Sequence, residues 1–224
     1  MGAARSLPAE GAWSGQACYV IGGGPSLTSF NWDLLKSKRN IIVINLAFLK
    51  VPHADIWFSE DLRVVEELIE KKEELKAAWS AFNGVKVFHS LDDSFTPKAL
   101  AACPDLHVIE RKRRDKFWAT KWEEGLSYSS HSFIGAANIA TILDADPIYC
   151  LGLDCRAEPK VNPNFHSHYP NEWRMPVGQG ESYRSDVEHW AALHMRGRSV
   201  VNLVNSDYLS AVTCWPRVPW GEVL

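Results

Sequence analysis

Short apolar runs alternate with polar or amphipathic stretches along this 224-residue chain. Several of the runs are continuous and β-branched, as parallel strands covered on both faces usually are. They predict strands at 17–21, 40–45, 54–59, 85–88, 106–109, 147–151 and 199–203. Helical spacing of apolar or small residues predicts helices at 61–79, 98–102, 132–143, 187–195 and 207–212, and a short helix from about Ser26 to Leu35.

The regular alternation of these strands and helices predicts an α/β fold. We expect a Rossmann-like, mostly parallel sheet with helices on both faces, in a single domain at 17–224. Residues 1–16 are interpreted as an N-terminal extension. Two polar segments without periodicity, 111–128 and 155–182, are interpreted as long functional loops.

Charge and cysteine content narrow the class of protein. The net charge of −3 gives no overall field to attract nucleic acid or anionic lipid. Five cysteines without a Cys-x-x-Cys pair favour reduced thiols. No apolar run approaches the roughly 18 residues of a membrane span, and the first residues lack the pattern of a signal peptide. We therefore expect a cytoplasmic protein, and its aromatic content is compatible with a homo-oligomer interface.

A basic run at Arg111–Lys116 is the local exception to the acidic balance. It either meets phosphates or simply faces water. With Phe117, Trp118 and Trp122 close by, it leaves nucleic acid as an alternative acceptor or partner, since basic and aromatic residues together suit single strands.

The first predicted strand runs directly into Gly22, Gly23, Gly24, Pro25 and Ser26. Glycines here let the backbone approach a ligand, and free N–H groups at the following helix start favour an anion. A plain tight turn is the alternative. A dinucleotide fingerprint would need a glycine at Leu27 and an acidic residue at Asn45, so the loop argues against an NAD enzyme.

Two further polar positions fall where ligands bind in open α/β sheets. Asn45 ends the second strand and either contacts a nucleotide or forms a local turn. Ser129, Ser130, His131 and Ser132 precede a small-residue helix and form either a second anion cradle or an ordinary N-cap.

The carboxyl end of the strand at 147–151 continues into Gly152 and Asp154. The aspartate either holds a sugar hydroxyl, a ring nitrogen or a metal, or caps the next loop. In the long loop that follows, His166 and His168 suit a general base or a phosphate donor, because histidine titrates near neutral pH. A metal site there would lack an evident third ligand, and a solvent-exposed pair is the remaining alternative.

The order of these motifs resembles the DUF115 superfamily. The likeness spans roughly residues 17–215 and rests on Gly-x-Gly-Pro-Ser-Leu, Asn45, the Ser-rich turn, Ile-Tyr-x-Leu-Gly-x-Asp, the His loop and a late Val-x-Asn-Leu strand. The superfamily includes the sialyltransferases of glycosyltransferase family 42, Maf flagellin glycosyltransferases and archaeal 6-hydroxymethylpterin diphosphokinases. Short phage-encoded DUF115-like proteins are the nearest in appearance, which would place the chain in a host cytoplasm.

The resemblance implies a glycosyltransferase with a CMP- or UDP-type nucleotide-sugar donor and no required metal. It makes Gly24, Ser26 and Asn45 nucleotide contacts, joined by Ser132 and Gly152. His166 or His168 would then be the general base, and we add Asp154 as a catalytic candidate. The chain departs from the family pattern at Phe133, where a glycine is common and where the larger side chain narrows the turn.

Two other functions fit the same residues. A diphosphokinase would use ATP and Mg²⁺, with Asp154 and Asp61 as candidate ligands. A nucleotide-binding accessory protein without catalytic activity would explain Phe133.

Overall fold

The fold is taken from a computed structural model that describes residues 5–69, 71–92, 94–112, 117–128, 131–156, 168–169, 179–205 and 210–224. Its centre is one sheet of eight parallel strands in the order β5-β4-β3-β2-β1-β6-β7-β8. The strands are β1 Cys18–Ile21, β2 Ile41–Ile44, β3 Ile56–Ser59, β4 Val85–Ser90, β5 His107–Glu110, β6 Ile148–Leu151, β7 Val200–Val204 and β8 Arg217–Pro219. The predicted α/β, Rossmann-like class is confirmed, and every strand pair is parallel.

Helices cover both faces of the sheet. The α-helices are α1 Glu73–Ala81, α2 Phe95–Ala102, α3 Phe133–Ile142, α4 Gln179–Asp186 and α5 Ala192–His194. A π-helical segment, Val187–Ala191, joins α4 to α5. One core cluster contains α3 and the helix around Val187, and the other contains α1, α2 and the 3-10 turns after β1 and β2. The central strands are buried because both clusters press on them.

The sequence predicts one continuous helix at 61–79, and this continuity is wrong. A π-helical segment, Val64–Ile69, and α1 are separated at Lys72, whose backbone is extended. The short helix predicted after Ser26 is instead two 3-10 turns, Pro25–Ser29 and Trp32–Leu35. The amphipathic pattern runs through these breaks because buried positions continue on the same face of the sheet.

Three other boundaries differ from the sequence prediction. α4 begins at Gln179, inside the predicted 155–182 loop, and forms one helical stretch with 187–194. The described part of the helix predicted at 207–212, residues 210–212, is not helical. β8 was missed because its three residues are largely exposed and carry no continuous apolar run.

The N-terminal segment packs on the domain that it precedes. Trp13 is buried in the core cluster of α3, and its backbone N–H donates to the carbonyl of Leu143 at 2.8 Å. The N–H of Gly11 donates to the carbonyl of Ile142. The described part of this segment therefore belongs to the same packed unit. None of the five cysteines forms a disulfide.

No helix among the residues that the structure describes has both the length and the apolar character needed to cross a membrane.

Candidate functional site

The loop after β1 is locked to the segment after β6. The N–H of Gly22 donates to the carbonyl of Leu151 at 2.8 Å, and the N–H of Gly24 donates to the carbonyl of Gly152 at 3.0 Å. The N–H of Ser26 donates to Asp154 Oδ2 at 2.8 Å. The N–H groups at the start of the following helix were predicted to be free for an anion. For Ser26 this prediction is wrong, because Asp154 supplies the acceptor.

Close packing between the two segments explains the glycines. A Cβ at Gly24 would lie 2.3 Å from Asp154 Oδ2 and 2.5 Å from the Gly152 carbonyl oxygen. Gly152 has a φ of +67°, and a Cβ there would lie 2.6 Å from Leu27 Cδ1. The glycines therefore allow backbone to approach backbone within the protein, and the same approach shapes one wall of a pocket.

Asp154 is almost fully buried at this junction, with 4% of its surface exposed. Burial raises the pKa of its carboxyl group, while the hydrogen bonds from Ser26 and the charge of Arg156 act in the opposite direction. The Asp154 carboxylate therefore fixes the loop after β1, whereas the sequence suggested a cap on the loop that follows Asp154. Its proposed catalytic role stays a prediction.

Asn45 both forms a turn and faces the pocket. Its φ is +53°, a left-handed conformation that asparagine tolerates better than most residues. Its carbonyl accepts the indole N–H of Trp57 at 2.7 Å, and its Oδ1 accepts the Ser59 hydroxyl at 2.7 Å. The side chain also hydrogen-bonds the hydroxyl of Tyr169. Asn45 therefore holds a fixed orientation at the carboxyl end of β2.

His131 lies between two aromatic rings at the start of α3. Its ring centroid is 4.7 Å from that of Tyr183 and 6.1 Å from that of Phe133. Burial lowers the pKa of His131 to about 4, against the opposing effects of the Asp186 charge and a backbone hydrogen bond with Tyr183. The imidazole is therefore neutral near pH 7.

Ser132 precedes α3, but its side chain makes no capping hydrogen bond. The N-capping interpretation of this serine is therefore wrong, and the hydroxyl belongs to a pocket-lining residue instead. Ser130 lies outside the described residues, so its predicted contact stays a prediction.

These elements enclose a pocket of about 140 Å³ at the carboxyl ends of β1, β2 and β6. In the sheet, β2 lies on one side of β1 and β6 lies on the other. The strand order therefore reverses at β1, which places the pocket at the topological switch point of the sheet. Its lining residues are Gly22, Gly23, Gly24, Pro25, Ile44, Asn45, His131, Ser132, Phe133, Gly152, Leu153, Asp154, Cys155, Arg156 and Tyr183.

Most of the predicted site residues thus converge on one pocket, whereas two of its polar residues were missed. Arg156 carried a weak signal, because it follows Asp154 by two residues. Tyr183 carried none, because it lies on α4, where the sequence was interpreted as the end of a loop.

Of the two histidines predicted in the loop at 155–182, the structure describes His168. His166 lies outside the described residues. His168 does not line the pocket, and its carbonyl accepts the ammonium group of Lys72 at 2.9 Å. The next residue, Tyr169, is anchored to Asn45 as described above. The assignment of His168 as the general base stays a prediction.

Candidate metal ligands are not gathered in the part of the chain that the structure describes. No group of three or more histidine, cysteine, aspartate or glutamate side chains there is arranged to hold a metal ion. The Asp61 carboxylate forms a two-point pair with Arg63, with contacts of 2.9 and 2.8 Å. Asp61 and Asp154 were the predicted Mg²⁺ ligands of a diphosphokinase, and each has a protein partner.

The aromatic residues next to the basic segment at 111–116 have partners inside the domain. Phe117 is buried, Trp118 donates its indole N–H to Thr141 Oγ1 at 2.8 Å, and Trp122 donates its own to the Pro8 carbonyl at 3.0 Å. Arg111 stacks on Tyr128, while residues 113–116 lie outside the described part. The indole N–H groups and the phenyl ring therefore contribute to the packing of the domain, and nucleic acid as a partner stays a prediction.

The fold and pocket together define an α/β protein with a candidate ligand site at the switch point of a parallel sheet. Comparison of the chain with protein-family models, curated proteins and solved structures finds no match. Its function is therefore argued from the site itself.

Proposed function

We propose that the chain is a glycosyltransferase that binds a nucleotide-activated sugar in the switch-point pocket and transfers the sugar to a hydroxyl acceptor. The observation that carries the proposal is the position of the pocket, since open α/β sheets bind nucleotides outside the carboxyl ends of the strands that flank such a point. The motif order shared with the DUF115 superfamily points to the same class of reaction.

The pocket offers groups suited to the two ends of such a donor. Arg156 and Ser132 line it, and the N-terminal end of α3 opens at the same place. A guanidinium and a helix N-terminus both favour phosphate oxygens. The rings of His131, Phe133 and Tyr183 form an aromatic wall for a flat base or for the apolar face of a sugar. We assign the phosphates to Arg156 and Ser132.

The transfer requires one proton acceptor and one site for the leaving charge. The bond between the anomeric carbon and the phosphate oxygen breaks as the acceptor oxygen forms the glycosidic bond. The acceptor proton passes to His168, and the negative charge that develops on the leaving nucleotide is met by Arg156. His131 is unsuited to accept this proton, because a base with a pKa of about 4 holds a proton weakly near pH 7.

The test is a turnover assay on a panel of CMP-, UDP- and GDP-sugars, with release of the nucleotide followed by chromatography. We expect hydrolysis or transfer with at least one donor. The Arg156→Gln variant should lower turnover at least about tenfold, because it removes the cation that meets the leaving phosphate. His168→Gln should lower it without weakening donor binding.

The matched control is Arg39→Gln, which changes an exposed arginine just before β2, at the opposite edge of the sheet. It should leave turnover unchanged. No turnover with any donor, or Mg²⁺-dependent consumption of ATP in its place, would overturn the proposal.

A further inference from the structure

A carboxylate and an imidazole are enclosed together at the carboxyl ends of β3 and β4, beside the pocket. Ser59 of β3 is in register with Phe88 of β4, so the next residues, Glu60 and His89, are cross-strand neighbours. His89 Nδ1 lies 2.9 Å from Glu60 Oε1. His89 has no exposed surface and Glu60 is 7% exposed. Neither residue lines the pocket.

The second nitrogen of His89 indicates the charge of the pair. Nε2 is buried and has no hydrogen-bond partner in the described part of the chain. A doubly protonated ring would leave a buried N–H donor without an acceptor, which is costly. We infer a neutral imidazole that donates its Nδ1–H to the Glu60 carboxylate, so that the pair carries one negative charge. Burial raises the pKa of Glu60, and the hydrogen bond from His89 opposes that rise.

Gly135 connects this pair to the pocket. A Cβ at Gly135 would lie 2.9 Å from Glu60 Oε1, so the carboxylate touches the first turn of α3. Ser132 lines the pocket and lies three residues earlier, on the same face of the helix, about 4.5 Å along its axis. A phosphate at Ser132 would thus lie within about one Debye length, 8–10 Å, of the buried charge.

We propose that Glu60, oriented by His89, is a specificity-determining residue of the pocket. Its charge weakens the binding of a ligand, and the effect grows with the negative charge that the ligand places near α3. The inference rests on the proposed function. In a glycosyl transfer the released nucleotide carries one more negative charge than the bound donor. Glu60 therefore weakens binding of the product more than binding of the donor, which favours product release.

The experiment compares a nucleoside with its own 5′-monophosphate, for cytidine, uridine, adenosine and guanosine, by calorimetric titration at pH 8. In the Glu60→Gln variant the monophosphate should bind at least about threefold more tightly, because a like charge has been removed. The nucleoside should bind as it does to the wild type. Glu110→Gln, at an exposed carboxylate that ends β5, is the matched control and should change neither.

Equal changes for nucleoside and monophosphate, or no change for either, would overturn the role of Glu60 while the proposed function stands. If no ligand of any pair binds the wild type, the proposed function fails and this inference fails with it.

If the Glu60→Gln variant does not fold, a second measurement on the wild type tests the proposal. A nucleotide sugar keeps a constant charge between pH 5.5 and about 8, so its affinity for the wild type should fall as Glu60 ionises. Besides His89, the titratable or charged groups that line the pocket within the described residues are His131, Asp154, Cys155, Arg156 and Tyr183, and the charge of Asp186 acts on His131. The pKa of His131, about 4, keeps it neutral in this range. An affinity that rises with pH across this range, or one independent of pH, would contradict the proposal.

Discussion

His131 shows how strongly the environment of one residue decides its chemistry. The sequence placed it in an anion cradle, where a protonated imidazole would be useful. In the fold its ring packs at a tilt against Tyr183, and desolvation lowers its pKa to about 4, so it stays neutral. It therefore offers the pocket a flat, uncharged ring with hydrogen-bonding atoms, and in the proposed function the contact with phosphate falls to Arg156.

This pKa predicts a dependence of stability on pH. The folded-state pKa of His131 lies below the value of about 6.5 expected in the unfolded chain. Between these two values the unfolded state binds more protons, so folding stability rises with pH in this window. The contribution is complete above about pH 6.5 and is lost as the pH falls towards 4.

The measurement is a two-dimensional NMR titration of the histidine side chains, with urea unfolding of the wild type and of His131→Phe at several pH values. The His131 midpoint should lie near 4. The difference in unfolding free energy between the two proteins should change with pH between about 4 and 6.5 and stay constant above that range. A midpoint near 6.5 would contradict the burial of this ring.

At the scale of elements, the buried amide of Asn138 explains how residues 117–128 are held against α3. Asn138 lies in α3, and its Oδ1 accepts the N–H groups of Ala119 and Ser127 at 3.3 and 2.8 Å. Its Nδ2 donates to the Ala119 carbonyl at 2.8 Å. One helix residue thus supplies buried hydrogen-bond partners to the backbone of Ala119 and Ser127.

Replacing Asn138 by alanine should therefore lower the free energy of unfolding by at least about 2 kcal/mol, because buried backbone groups lose their partners. Asn83→Ala, at an exposed asparagine, is the control and should have little effect. Amide hydrogen exchange at Ala119 and Ser127 should become faster in the Asn138 variant alone. Unchanged exchange at these two amides would show that the segment is held by other contacts.

The elements also show what the sequence pattern can and cannot predict. Strands such as Ile41–Ile44 were predicted because buried parallel strands require continuous apolar runs. The break at Lys72 left no trace in the pattern, since Val65 before it and Leu75 after it are buried in the same core cluster. β8 has no apolar run at all.

The candidate site was predicted in part for the same kind of reason. Residues at strand ends, such as Asn45 and Gly152, were found because the topology of an α/β sheet brings strand ends together. Tyr183 comes from a distant helix, and its place depends on tertiary packing. The acceptor for the Ser26 N–H was hidden as well, because Asp154 lies 128 residues further along the chain.

At the scale of the whole molecule, the strand order of the eight-stranded sheet reverses at β1. The glycine-rich loop after β1 meets Gly152 there, and the packing of the two segments shapes one wall of the pocket. Asp154 and Arg156 line the pocket, and Glu60 lies against the first turn of α3 outside it. Under the proposed function, this arrangement of charges would favour a ligand of limited negative charge.

The most direct test of this account is an NMR titration of the labelled protein with nucleotides and nucleotide sugars, observed at the glycine amides. We predict that at least one nucleotide shifts the signals of Gly23, Gly24 and Gly152, which line the pocket. The signals of Gly197 and Gly221, which have open space around them, should stay in place. Shifts confined to other parts of the chain, or none with any nucleotide, would contradict a nucleotide site at the switch point.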